Sequence, residues 1–557
     1  MSAKLVSRIF IFLLLFSAFS AFAYADDCVA LGGSIVGAEC QISTNVKKVG
    51  SYTIDETLRI LADKTINATN TSVIGIDLTI DGDLIMEPGS RIFANDPLGF
   101  PDSNSPASPI TLDITGNLEM YGPAGIVAEN RVSGGSSGKI TIDLGGNVHL
   151  RNLSTISSAR TTGGGTGNGG DIDINAGGNI DFDEGSIVSA SNVGSGKAGD
   201  ITIEADGKIN IDGLISVGPS INVVSTKYTG DIVSGGNTQQ RGGKITIISN
   251  SQNEPGITIG DNAIIVSQGQ DPGSDKILLE ACGIDVNGLI GSVASKSHAS
   301  DSVPGIVTLR SGTTININGQ DLGSVGPAQA RVRADDITGE EPKPRRVDIF
   351  ADGKITVNGA LSGSIYTVTS NAGGATNQFG GSIRLISLND GVLSSALAFQ
   401  ARGSSAGGDG GKLNLSGKTG IDIDSTSADF HGDFTPTIAN GGKIDAKSYS
   451  NDISWFTGMG DVRPTGDGVA NSNRGTVNLT ACTIVDTLGT LFPTSSGSAT
   501  VPGILTGLCS PSAPSLPPGE GPLPICEPTN EIPEFTTIGA ALVLLGAGFY
   551  IYRKRKK

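Results

Sequence analysis

Apolar and polar residues alternate along this chain in short runs, three runs to a unit, with glycine between the runs. Residues 140–159 read ITIDLGGNVHLRNLSTISSA, and the layout returns at 172–190 (IDINAGGNIDFDEGSIVSA) and 201–217 (ITIEADGKINIDGLISV). A period of two puts alternate side chains on one face of a strand, so each unit predicts three strands and two bends with one inward face. Recurrence at roughly thirty residues is the signature of a solenoid, whose coils bury that face only by stacking on their neighbours. Aligning the first strands gives coil starts at Ile76, Ile110, Ile140, Ile172, Ile201, Ile245, Ile277, Val307, Val347, Ile383, Leu413, Ile444 and Val477. The predicted fold is all-β, a single-stranded parallel β-helix of about thirteen coils, about 60 Å long at ~4.8 Å per strand.

Within a coil, Ile110, Leu112 and Ile114 alternate with Thr111 and Asp113, then Gly116-Asn117 bends the chain before Leu118 and Met120. The same bend reads Gly82-Asp83, Gly146-Asn147, Gly178-Asn179, Gly207-Lys208 and Gly353-Lys354. A left-handed backbone position, which glycine and asparagine tolerate, is the expected reason. Extra length after Ile201 and Val307 predicts inserted loops at 228–241 and 329–346, where solenoids usually carry function.

Length adds little, because a solenoid grows by coils and needs no new core for each. Eighty-one glycines and only 5% aromatic residues fit small turns and thin aliphatic layers. A formal charge of −17 argues against a nucleic-acid partner, which requires clustered Lys and Arg.

Both ends read as processing signals. Lys4 and Arg8 precede an apolar run at 9–16, and Ala21, Ala23 and Ala25 offer cleavage sites, so residues 1–25 predict a secretory signal peptide. Residues 26–70 depart from the repeat and are expected to cap the first coil, with Cys28 and Cys40 close enough in sequence for a local disulfide. The β-helix is assigned to 71–500 and a proline-rich stalk to 501–532. Residues 535–552 would cover about 27 Å as a helix, followed by five cations, Arg553, Lys554, Arg555, Lys556 and Lys557, as a cytoplasmic stop-transfer cluster. A C-terminal transmembrane helix in 533–557 completes the expected architecture.

Pro533, Glu534 and Phe535, the apolar span and the basic terminus together resemble the archaeal PEF-type sorting signal, a substrate tail of archaeosortase transpeptidases. The resemblance covers about the last 25 residues and implies removal of the helix and attachment of the cut chain to a membrane lipid. A retained single-span anchor is the alternative, and both place the body on the cell surface. The coil pattern resembles filamentous-haemagglutinin-like exoproteins and autotransporter passengers, with the wider pectin-lyase-like group sharing the architecture. That resemblance implies a right-handed β-helix used for adhesion; neither the two-partner secretion motif nor the outer-membrane barrel of those families is present in the sequence.

Candidate chemistry is sparse. Polysaccharide cleavage, the enzyme alternative, needs converging carboxylates. The richest cluster is Arg333, Asp335, Asp336, Glu340, Glu341, Arg345 and Arg346, expected as one solvated inserted loop. His149, His298 and His431 fall in different coils, with His149 outward between Val148 and Leu150. No catalytic residue is assigned. Asp113, Asp143 and Glu204 form an acidic column too widely spaced to cage one ion, so no metal and no cofactor is expected. Trp455 is expected to close the lower core, and Tyr228, Tyr366 and Tyr449 are scattered rather than gathered into a sugar platform. Cys282 and Cys482 lie too many coils apart to bridge; Cys482 with Cys509 is one pairing that leaves Cys526 for another chain or none. Sequons for N-glycosylation occur at Asn67, Asn70, Asn152, Asn414 and Asn478. The expected function is a non-catalytic, surface-anchored rod for adhesion or envelope structure. Its expected partners are the membrane, an archaeosortase-like enzyme, and surface glycans or other cells.

Overall fold

A computed structural model describes residues 27–526, apart from 69–73, 95–106, 131–134, 160–166, 193–195, 218–241, 270–275, 295–304, 320–331, 337–344, 360–366, 372–379, 404–408, 430–441, 456–475, 483, 487–502 and 508–511. The expected signal peptide, the sorting motif Pro533-Glu534-Phe535, the terminal cations and Asn70 lie outside the described residues. No helix among the described residues is long and apolar enough to cross a membrane.

The chain winds as an all-β solenoid of long parallel sheets. First strands of successive coils form a 15-stranded parallel sheet, and the second and third strands of each coil join in a 27-stranded one. Ile110 faces Ile76 on one side and Ile140 on the other, and the register continues Ile140–Ile172–Ile201–Ile245 without a slip. Every coil start read from the sequence occupies this one column, through Ile277, Val307, Val347, Ile383, Leu413, Ile444 and Val477. A one-residue slip would turn each isoleucine out to solvent, so the alternation itself holds the register. Ile110, Leu112, Ile140, Ile142, Ile172 and Ile203 are fully buried in one continuous core; each such side chain contributes about 1.5–3 kcal/mol by leaving water.

The sheet extends one strand beyond the expected coils at each end, Gly50–Ile54 above and Gly503–Gly507 below. Parallel stacking already begins at Glu39–Ile42 upon Thr57–Ile60, well inside the stretch expected as a cap. What departs from the repeat is a one-turn helix, α1 (Asp27–Leu31), and an antiparallel strand, Ser34–Val36, paired with Glu39–Ile42. Cys28 and Leu31 seal the top of the core, and a Cys28–Cys40 disulfide ties the helix to the hairpin. Asp27 Oδ2 accepts the Thr53 N–H at 2.8 Å, fastening the helix start to the first sheet.

The bend glycines read from the sequence are not left-handed. Gly82, Gly116, Gly146, Gly178 and Gly207 are absent from the positive-φ positions; in these upper coils positive φ falls at the next bend, at Asp63, Gly89, Gly122, Leu153 and Gly185, while lower down Gly283 is left-handed at a first bend. Glycine is required at the first bend because backbones stack there: a Cβ on Gly146 would lie 2.6 Å from the Gly116 carbonyl oxygen and 2.6 Å from Asn117 Oδ1. The partner residue builds a ladder. Asp83 Oδ1 accepts the N–H of Asn117 (2.7 Å), Asn117 Oδ1 that of Asn147 (2.8 Å), Asn147 Oδ1 that of Asn179 (2.7 Å), and Asn179 Oδ1 that of Lys208 (2.8 Å). These side chains satisfy bend amides that no strand reaches.

Candidate functional site

The first sheet's outer surface changes character along the rod. In the upper coils its outward positions are polar, half-buried at Thr111 and exposed at Asp113 and Asp143. Lower down, the same columns hold Thr308, Asp348, Phe350 and Ile386, all buried although they point away from the core. Their burial requires a cover, and residues 512–526 lie against this flank.

The segment expected as a proline-rich stalk is thus stapled to the rod in its described part. Cys526 is disulfide-bonded to Cys282, at the end of the strand Lys276–Ala281. Arg310 Nη2 donates to the carbonyl of Gly521 at 2.7 Å and to that of Pro522. Arg346 reaches Glu520 at 3.7 Å. Proline leaves few backbone donors in this segment, so its carbonyls are what an arginine can hold. The pairing gives Cys526 a partner within this chain, where one pairing open in the sequence left it for another chain or none. Cys482 is disulfide-bonded too, and Cys509, one partner the sequence offered for it, lies outside the described residues.

Beneath the segment, Asp348 is fully buried between two guanidinium groups. Arg384 Nε and Nη2 each lie 3.0 Å from Asp348 Oδ1, and Arg346 Nε contacts Oδ2. Burial holds this carboxyl above the usual aspartate range despite the pull of Arg384 and Arg346 toward ionisation. Arg384 also stacks on Phe350, 5.1 Å from the ring centroid. At the other end of the rod, Arg59 grips Glu39 with two 2.9 Å contacts, and that hydrogen bonding lowers the Glu39 pKa to about 2.

The acidic and basic cluster expected as one inserted loop is divided. Arg333, Asp335 and Asp336 belong to Val332–Asp336, an ordinary third strand paired in parallel with Leu289–Ala294. Arg345 is buried and Arg346 opens the next coil's first strand. Glu340 and Glu341 lie outside the described residues, as do His298, His431, Tyr228 and Tyr366. The alternation in VRADD was the missed signal that this stretch is a strand.

His149 points outward with Nε2 3.3 Å from Asp183 Oδ1. Asp113 and Asp143 are register neighbours, and Glu204 follows across Asn175. Lys447 sits over the Tyr449 ring at 4.1 Å. Trp455 ends the strand Ile453–Trp455 beside Ile423. Of the sequons, Asn152 and Asn414 are exposed, and Asn67 lies in a third strand. Asn478 donates to Asp445 Oδ1 at 2.7 Å.

A shallow cleft of about 330 Å³ opens at the first bend of the lower coils, lined by Lys354, Asp390, Thr419, Asn451 and Asp452 among others. Asp390 Oδ1 there accepts from Thr419 Oγ1 at 2.9 Å and from the Gly391 amide at 2.8 Å. These bonds shape the bend. No protein-family model, curated protein or solved structure matches the chain.

Proposed function

We propose that the chain is an exported, non-catalytic rod held at the cell surface by its C-terminal region, serving adhesion or envelope structure by presenting its inter-coil loops. The anchor is the apolar span 535–552, either retained or exchanged for a lipid by an archaeosortase-like enzyme acting at Pro533-Glu534-Phe535. Export is expected through the leader at 1–25, and the coil takes the right-handed sense that parallel crossovers favour. The contact partners are surface glycans or other cells.

One observation carries this reading: the segment leading into the anchor is joined covalently to the rod by Cys282–Cys526. Such a link makes rod and tail one mechanical body, which a tethered surface protein needs and a diffusing one does not. Disulfides also persist in oxidising surroundings outside the cytoplasm, and no described cysteine is a free thiol.

Intact-mass measurement on chain extracted from native membranes tests the proposal. The expected result is loss of the leader, oxidised cysteines, and either an uncut tail or a cut tail bearing lipid. Recovery from the cytosol with reduced thiols would overturn it, as would polysaccharide breakdown by the purified chain.

A further inference from the structure

Resting on the anchored-rod reading, we infer that the rod lies along the membrane, with the lower half of its first-sheet flank facing anionic lipid headgroups. Two independent observations lead there. The first is the length of the tether. Cys526 is fixed to the coil that starts at Ile277. Below it stack the strands that continue the column at Val307, Val347, Ile383, Leu413, Ile444, Val477 and Gly503.

Seven strand spacings put the staple roughly 34 Å above the bottom of the rod. From Cys526 to Phe535 the chain takes nine steps, which reach at most about 32 Å when fully extended. The span 535–552 covers only about 27 Å as a helix, short of the ~30 Å hydrocarbon core, so it has no residues to lend to the tether. A rod standing on its lower end would need the tether to cross the headgroup layer as well, a further ~5–7 Å. The upright posture is out of reach, and the flank that carries the staple is drawn toward the bilayer. Processing at the sorting motif would leave the tether no longer.

The second observation is charge. In the lower half, the leading column of the first sheet runs Lys244–Lys276–Ile306–Arg346–Ser382–Lys412–Lys443 in unbroken register. Lys244, Lys276, Lys412 and Lys443 are all exposed. Lys443 is partly balanced by Asp445 at 2.7 Å and Arg346 by Asp348; the other three lysines face solvent. In the upper half the leading position holds Lys139, Asp171 and Asp200, with Lys139 paired to Asp173, and the other outward positions of the sheet hold Asp77, Asp113, Asp143 and Glu204. The lower half keeps acids there too, at Glu280, Asp348 and Asp445, so the contrast lies in the leading column. A chain of net charge −17 has thus gathered cations on the flank its tether pulls toward the membrane. Basic side chains near an anionic surface are attracted over about a Debye length.

Lysine acetylation footprinting of the full chain tests this, in vesicles containing phosphatidylglycerol, in phosphatidylcholine vesicles, and in detergent. On the anionic vesicles Lys244, Lys276, Lys412 and Lys443 should react at least about threefold more slowly than in detergent, and raised salt should shrink the protection. Lys47, exposed among the third strands on another face of the solenoid, should react alike in all three conditions. Equal reactivity of the four lysines in vesicles and detergent, with the chain still vesicle-bound, would overturn the side-on posture while leaving the anchor intact. Equal protection on both kinds of vesicle would overturn the headgroup recognition. Loss of vesicle binding altogether would instead sink the anchored reading on which the inference rests.

Discussion

Replacing Gly146 with alanine separates two explanations of the bend column. If glycine served there for backbone freedom, a methyl group would cost little, since its φ is not left-handed. The geometry gives a different answer. The new Cβ would sit 2.6 Å from both the Gly116 oxygen and Asn117 Oδ1. Relief to an ordinary contact near 3.4 Å requires the coils to part by about 0.8 Å. Gly146 N–H donates to the Gly116 oxygen at 2.9 Å and Asn147 N–H to Asn117 Oδ1 at 2.8 Å, and both bonds would stretch past hydrogen-bonding range. At ~1 kcal/mol each plus local strain, less the ~0.5 kcal/mol that alanine gains in the unfolded chain, the net cost is about 2 kcal/mol. Gly125→Ala is the control, because its Cβ would meet nothing closer than Val127 at 3.4 Å, and it should change stability by less than about 0.5 kcal/mol. Solenoid coils open partly independently, so amide exchange is the suitable assay. Strands Ile110–Ile114 and Ile140–Leu144 should exchange about thirty-fold faster in Gly146→Ala and unchanged in Gly125→Ala. Equal exchange in the two variants would refute the steric account of the column.

Three further outcomes are expected. Glu39 has a folded pKa below its unfolded one, so the stability it contributes with Arg59 is present above about pH 4.5 and lost as pH falls toward 2; the pair is part-exposed, so melts of wild type and Glu39→Gln should converge at low pH from a gap of only ~1 kcal/mol near neutrality. Removing the Cys28–Cys40 link by double serine substitution should cost ~2–3 kcal/mol for a loop of this length and expose α1 to exchange first, with no change at Ile349 or Leu385. Asp348→Ala should cost about 3–5 kcal/mol by leaving Arg384 without its buried counter-charge, and Asp348→Leu combined with Arg384→Leu should recover part of that loss in urea unfolding.

The coil register was readable because alternation and length recur together. Ile110, Ile140 and Ile172 open units of the same pattern, and inward burial leaves them no other register. The ladder of Asn117, Asn147 and Asn179 was visible as a column, yet its cause was not, since close backbone approach and left-handed φ select the same glycine. The staple was hidden for a different reason. Cys282 and Cys526 are 244 residues apart, and no spacing rule links a coil edge to a proline-rich segment. A local trace of it did exist: Phe350 and Ile386 stand where upper coils carry threonine and aspartate, and outward apolar residues on a solenoid face ask for something to cover them. The Val332–Asp336 strand was obscured by its charges, because a dense mixed-charge run has the composition of a solvated loop.

The Cys282–Cys526 bond has one more consequence. Every coil between those two positions lies inside a closed covalent ring, so the lower end of the solenoid has no free terminus from which to unravel. A ring of that size restricts the unfolded chain by about 5 kcal/mol in the loop-entropy treatment. A single protease cut in any enclosed loop would leave both fragments joined, and only a gel run with reductant would reveal the nick.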